Sequence, residues 1–375
     1  MKLRYIANVR LPTEKAHGIQ IMSMCAAFAD SGAEVELVVP TRTSDITADP
    51  FEYYGVKRNF TIRTVPTPQP HDLPLTLLTR LSYLRARFAF ARRVLKDARA
   101  RPADVYYHRD ELSFRAFGKA GLPGIWEIHD MPRHMMLYRQ ALARAPFVVA
   151  ITNGLKQALE AAGVPAGKIL IEPDGADTER FANAAAGDVR EKLGLGGSDV
   201  LVTYTGSLLP WKGVSALAMA AEKLPQNAYL LIVGGDGAAL EELRAGMVLR
   251  GVRGSAIGRV APSDVGAYVT ASDIIVIPNS GKTQISREYT SPLKLFEALA
   301  AGKAIVASDL PSLREILDGD TAILVPPDDP QALAAALSSL SADPARRAAL
   351  GKAAAQKAAH YDWRARAARI LARLA

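Results

Sequence analysis

Short apolar runs punctuate this chain, and stretches with helical spacing separate them. "EVELVVP", "GIWEIHD", "PFVVAIT" and "KILIEPDGAD" stand in the first half; "VLVTYTGS", "AYLLIVGG", "IIVIPNS", "AIVASD" and "TAILVPP" stand in the second. Consecutive apolar residues rich in Val and Ile suit strands covered on both faces, as in a parallel sheet. Parallel strands need long crossovers, which the helical stretches supply. The pattern predicts doubly wound α/β structure throughout. A chain of 375 residues exceeds what one core usually holds, so two such domains are expected. The alternation lapses at "PDGADTERFANAAAGDVREKLGLGGSD", which reads as a linker. The expected partition is 1–180, 181–358, and a closing segment 359–375 that ends in the basic amphipathic helix "YDWRARAARILARLA".

The formal charge of +8 asks for an anionic partner. It concentrates at 77–102, "LLTRLSYLRARFAFARRVLKDARARP", where Arg80, Arg85, Arg87, Arg92, Arg93, Lys96, Arg99 and Arg101 are offset only by Asp97. Leu, Phe, Tyr and Val interleave at helical spacing. Two readings fit: a helix lying on an anionic membrane surface, or a core-facing helix with a basic outer face. No recognition motif accompanies the patch, so nucleic acid is not expected. The single cysteine, Cys25, excludes an internal disulfide and fits a reducing cytosol. The opening "MKLRYIANVRLP" lacks an apolar leader core, and no run reaches the ~18 apolar residues of a membrane span. A cytoplasmic protein, peripheral on the inner face of the cell membrane, is expected.

Several motifs invite chemistry. "NSGKTQ" (279–284) suggests a phosphate loop, but Val276 stands where that loop needs a glycine. In "VGGDGAALEEL" (233–243), Leu240 replaces the third glycine of a dinucleotide fingerprint, so Gly235 marks a tight turn near a ligand rather than a nicotinamide site. The six histidines show no paired ligand spacing, and no metal is expected. "TGSLLPWKGV" (205–214) says more. Gly206, Pro210 and Gly213 fix a loop at the carboxyl end of a buried strand, and Lys212 projects from it. Phosphate binding and an ordinary surface lysine both remain open there. In "SPLKLFEALAAGKAIVASD" (291–309), Ser291 suits the N-cap, Pro292 the first helical position and Gly302 the stop. Lys294 and Glu297 share one stripe of that apolar helix, as a solvated pair or as something less ordinary.

Taken in order and spacing, "TGSLLPWKG", "VGGDG", "SPLKLFEALAAGKAIVASDLPSLREI" and "YDW" resemble the retaining GT-B glycosyltransferases of family 4. "TEKAHGIQIMSMCAAFADSG", "WEIHD" and "PDGADTERF" extend the resemblance across the first half. It implies two Rossmann-like domains facing a cleft, with 1–180 on the acceptor side, 181–358 binding a nucleotide-sugar, and 359–375 returning to the first domain. Glu297 then matches the second glutamate of the family's Glu-x7-Glu motif and holds the donor ribose. Lys212 matches the phosphate lysine. Backbone amides around Ser291, Pro292 and Leu293 would receive the diphosphate at a helix N-terminus. His129 would stand near the transferred sugar, and Gly18 in the loop facing the diphosphate. Gly206, Ser207, Gly235, Tyr289, Thr290 and Lys294 complete the implied donor site.

Two departures from the family's pattern stand out. Ser207 occupies a position where the family often has arginine. The first glutamate of the pair would fall at Tyr289, with Glu288 one step out of register. Ser291 and Pro292 pin the following helix, so a compensating slip is not expected, and Tyr289 is expected to line the sugar pocket. The implied reaction moves a sugar from a nucleoside diphosphate sugar, UDP ahead of GDP, to a glycan or polyprenyl-linked acceptor, without a cofactor. A nucleotide-sugar epimerase of the same fold and a non-catalytic nucleotide-sugar sensor are the alternatives. Nucleotide release with a glycoside product separates the first reading from both.

Overall fold

The computed structural model describes residues 1–69 and 77–374, with backbone alone at 77–80. Arg80 of the basic stretch thus lies outside the described side chains. The chain forms two compact units. The first comprises Met1–Ile151, Leu155–Glu172 and Arg366–Ala375; the second comprises Thr152–Gly154 and Pro173–Ala365.

The first unit carries β1 (Lys2–Ile6), β2 (Glu34–Pro40), β3 (Thr61–Val65), β4 (Val105–His108), β5 (Ile125–Ile128), β6 (Val148–Ala150) and β7 (Ile169–Ile171). They form one sheet in the order β3-β2-β1-β4-β5-β6-β7. Every pairing is parallel, the arrangement expected of strands covered on both faces. Between β1 and β2 the helix Ala16–Asp30 buries Ile21, Met22, Met24, Cys25 and Phe28. Gly32, at φ +89, ends the turn in the left-handed region. The basic helix Leu77–Ala100 buries Ala86, Phe90, Ala91, Val94 and Ala98.

The second unit carries β8 (Val200–Thr205), β9 (Ala228–Val233), β10 (Gly254–Ala256), β11 (Ile274–Ile277), β12 (Ala304–Ser308) and β13 (Ala322–Val325). Their order is β10-β9-β8-β11-β12-β13, again all parallel. Strand order reverses between β8 and β11. Loops after such strands diverge to opposite sides, which opens a crevice at their carboxyl ends. Aspartates cap several helices: Asp329 accepts from the Ala332 amide and Asp343 from the Arg346 amide, each ahead of a proline in the first turn.

The boundaries differ from the expected 180 and 358. The stretch expected as a linker folds onto the second unit, because its few large apolar residues find that core. Phe181 packs with Phe296 and Leu299, and Val189 with Leu201 and Leu231. The closing helix Trp363–Ala372 divides at Arg366. From there its arginines tie it to the first unit: Arg366 to Glu127 (3.2 Å) and the Glu172 carbonyl (2.9 Å), Arg369 to the Glu172 carboxylate (2.8 Å).

Candidate active site

In the second unit the carboxyl ends of β8, β9 and β11 lie together through glycines. A side chain at Gly234 (φ +125) would strike the Gly206 carbonyl, and one at Gly213 (φ +71) would strike the Pro278 carbonyl. A side chain at Gly235 would collide with Leu208. Gly206 itself sits at φ +135. These contacts hold the loop 206–213 tightly against the strand ends, as its glycine and proline content suggested. The exposed Ser207 contributes its carbonyl, which accepts from the Tyr204 hydroxyl at 2.6 Å.

Two lysines meet at this loop. Lys212 is half-buried, with its ammonium 3.8 Å from the Trp211 ring centroid. Burial lowers its pKa to about 8. Lys294, on the helix Leu293–Ala300, lies 3.5 Å over the Tyr204 ring and is only 7% exposed. Burial first, and then repulsion from Lys212, holds its ammonium well below the ordinary lysine range. One turn along, Glu297 is 9% exposed. Burial raises its carboxyl to about 7 against the pull of Arg180 and Lys294. No hydrogen bond or ion pair to the Glu297 carboxylate occurs among the described residues. The solvated-pair reading of Lys294 and Glu297 therefore fails. Both are buried, and they do not bridge to each other.

The helix start differs from expectation. Pro292, not Ser291, is the N-cap residue (φ −78, ψ 122) and makes no side-chain cap. The Ser291 hydroxyl accepts instead from the Asp174 amide at 2.9 Å. Pro292 has no N–H, so the free amides at this helix end begin at Leu293 and Lys294. Just before it, Ile285–Tyr289 forms a π-helical turn, which fits more residues into a turn than an α-helix does. Gln284 Nε2 donates to both the Tyr289 hydroxyl (2.8 Å) and the Glu288 carboxylate (3.0 Å). Tyr289 and Thr290 are buried, and Glu288 is half-buried.

The remaining two residues belong to the first unit. Gly18 lies in the first turn of Ala16–Asp30, not in the preceding loop. A side chain there would strike the Tyr54 hydroxyl, which bonds both the Thr13 amide and the Thr13 carbonyl at 2.7 Å. His129 follows β5, and its Nε2 meets Glu127 Oε1 at 2.7 Å. Burial and then Arg109 lower its pKa to about 4, so neutral His129 donates from Nε2 and leaves Nδ1 as an acceptor. Burial alone would raise the Glu127 carboxyl, but Arg366, His129 and Arg109 hold it well below the usual range.

Sequence reasoning missed two groups. Arg180 sits in the stretch expected as linker, yet its charge reaches Glu297. Asn279 is fully buried with both amide atoms unpartnered. Its "NSGK" context signalled only a phosphate loop that failed.

Both units of the chain are similar to known proteins. The model described as "Glycosyltransferase Family 4" matches residues 18–180, and "Glycosyl transferases group 1" matches 199–343. A D-inositol 3-phosphate glycosyltransferase of Xylanimonas cellulosilytica is 26% identical over 395 residues, covering 94% of this chain and 89% of that protein. A phosphatidyl-myo-inositol mannosyltransferase of Mycolicibacterium smegmatis is 33% identical over 219 residues, 57% of this chain and 52% of that one. Anabaena HepE, solved with UDP and glucose, superposes with a TM-score of 0.76 at 18% identity over 100% of this chain and 99% of its own. Together the two family models span both units, and the fold is that of HepE along its whole length. The chain belongs to glycosyltransferase family 4 and is a glycosyltransferase of GT-B fold.

Proposed function

We propose that the protein transfers a sugar from a nucleoside diphosphate sugar, a UDP-sugar ahead of a GDP-sugar, to a lipid-linked or glycan acceptor with retention at the anomeric carbon. One observation carries the reading: half-buried Lys212, buried Lys294 whose ammonium has no hydrogen-bond partner, and the buried Glu297 carboxylate stand at the carboxyl ends of β8 and β11, beside a helix N-terminus. The lysine and free amides suit a diphosphate, whose charge grows as the sugar bond breaks. Glu297, once ionised, suits two ribose hydroxyls. HepE bound to UDP and glucose supports this donor class. The inositol-directed relatives support an acceptor in glycoconjugate synthesis.

A lipid-linked acceptor also suits the helix Leu77–Ala100. It packs one face into the core, yet Leu81 (54%), Tyr83, Leu84 and Phe88 (49%) are exposed beside exposed Arg85, Arg92, Arg93, Lys96 and Arg99. Apolar side chains within a basic surface fit the headgroup region of an anionic membrane, on the inner face of the cell membrane. No described helix is long and apolar enough to cross a membrane. The test of the proposal is turnover of UDP-, GDP- and ADP-sugars with lipid-linked acceptors, with the anomeric configuration of the product read by NMR. Acceptor-dependent nucleotide release with retention is the expected result. Release without a glycoside would indicate the epimerase reading, and binding without release a sensor.

A further inference from the structure

A neutral histidine has one donor and one acceptor nitrogen, so the place of its proton decides what it can offer a substrate. For His129 that choice is made inside the first unit. Its Nε2 meets Glu127 Oε1 at 2.7 Å, while the side chain keeps 23% of its surface exposed. An ionised carboxylate only accepts, so it holds the proton on Nε2; a neutral carboxyl can donate and would place the proton on Nδ1. The tautomer therefore depends on Glu127 staying ionised at 0% exposure. Neutral donors do not secure that charge, and Gln20 and Tyr107 are both neutral. Arg109 stands 3.8 Å from Oε1, and its Nε donates to Gln20 instead. The closer arginine is Arg366, whose Nη1 reaches Oε2 at 3.2 Å. It comes from the closing helix Trp363–Ala372, and its side chain is only 1% exposed. Nη2 is held on the Glu172 carbonyl at 2.9 Å, so the guanidinium cannot turn away without losing both contacts. Burial favours the neutral carboxyl, and Arg366 leads the charges that oppose it.

We propose that Arg366, on the closing helix, is a positioning residue that fixes His129 as its Nε2–H tautomer through Glu127, leaving Nδ1 to accept a hydrogen bond from a hydroxyl of the transferred sugar. The sugar contact rests on the donor reading above; the relay rests on the geometry of the first unit alone. Guanidinium, carboxylate and imidazole act in series, and Arg366 never meets the substrate. The closing helix thus does more than tie down the end of the chain. It sets the hydrogen-bonding character of a side chain on the opposite end of the relay.

The test is long-range proton–nitrogen NMR correlation of the full-length protein, labelled with heavy nitrogen in its histidines, with the His129 signals assigned by their loss in His129→Asn. Wild type should show the Nε2–H form. Arg366→Met should move His129 to the Nδ1–H form or a mixture, and lower kcat for nucleotide release at least ~10-fold with the donor KM within ~3-fold. Arg366→Lys should restore both in part. Arg369→Gln frees the same helix from the Glu172 carboxylate but spares the Glu127 contact. It should lower the melting temperature and leave the tautomer as in wild type, which separates the relay from docking of the helix. Arg366→Gln serves the same comparison if the methionine variant is recovered unfolded. An unchanged Nε2–H signal in the folded Arg366 variant, or an Nδ1–H form in wild type, would overturn the proposal and leave the donor reading intact. A changed tautomer with kcat within ~2-fold of wild type would uphold the relay and overturn the contact of His129 with the sugar.

Discussion

Glu127 and Glu297 are both buried carboxylates, one in each unit, and they have opposite surroundings. Glu127 is 0% exposed and receives Gln20 (2.6 Å), Tyr107, His129 (2.7 Å) and Arg366 (3.2 Å). Its charge is complete within the protein, and its carboxyl is held low. Glu297 receives no hydrogen bond from any described side chain, and its carboxyl rises to about 7. The same contrast holds for the cations, since Arg366 hydrogen-bonds Glu127 and the Glu172 carbonyl, whereas the Lys294 ammonium has no hydrogen-bond partner and only the Tyr204 ring beneath it. Satisfied buried charge builds structure; buried charge without partners waits for a ligand.

Mutations should separate the two acids. Glu127→Gln leaves Arg366 without its counter-charge and should cost about 3–5 kcal/mol of stability, read by urea denaturation. A loss under about 1 kcal/mol would break the contrast. Glu297→Gln should act oppositely. Because burial pushes the folded carboxyl up from its ordinary 4.5 to about 7, the folded state binds the proton more tightly. Wild-type stability should therefore decline as pH rises from about 4.5 to 7 and level off above, by about 3 kcal/mol in all. The Gln variant should lack this slope.

Lys212→Ala should lower turnover ~30-fold or more with the fold intact, through loss of a desolvated phosphate contact of about 2–4 kcal/mol. The kcat/KM profile of the wild type should rise through about 7 as Glu297 ionises and fall above about 8 as Lys212 loses its proton. Smaller effects concern the π-helical turn. Tyr289→Phe should cost several-fold and Glu288→Gln should be near normal; a Glu288 loss as deep as that of Glu297→Gln would restore a shifted version of the family's acid pair. Flotation should show the smallest and most salt-sensitive effect, with recovery on anionic vesicles reduced in Phe88→Asp. Equal recovery on neutral vesicles would leave the basic helix without a membrane role.

The strands were legible in the sequence wherever they were buried on both faces. "EVELVVP" is β2 from end to end, and "AIVAS" is β12. β3 and β10 were not, because edge strands need less apolar sequence: "TIRTV" alternates with charge and "GSA" has no β-branched residue. Lys212, Gly206 and Glu297 were visible as residue types on a rigid loop and an apolar helix. The burial of Lys294 was not, because spacing alone cannot tell a solvated i,i+3 pair from one covered by Tyr204 and the loop. Ser291 misled for a related reason. Its type fits a cap, but the Asp174 amide claims its hydroxyl. The linker and the π-helical turn depend on what the second unit's core covers, which local sequence does not encode.

The central claim is that Glu297 is left open for a donor ribose beside a diphosphate site. Titrating wild type and Glu297→Gln with UDP, GDP and ADP, and with inorganic pyrophosphate as the ribose-free reference, tests it most directly. The account predicts that the nucleotide bound best by wild type loses at least ~10-fold in affinity in Glu297→Gln, while pyrophosphate binding stays within ~2-fold. Equal nucleotide affinity in the two proteins would contradict it.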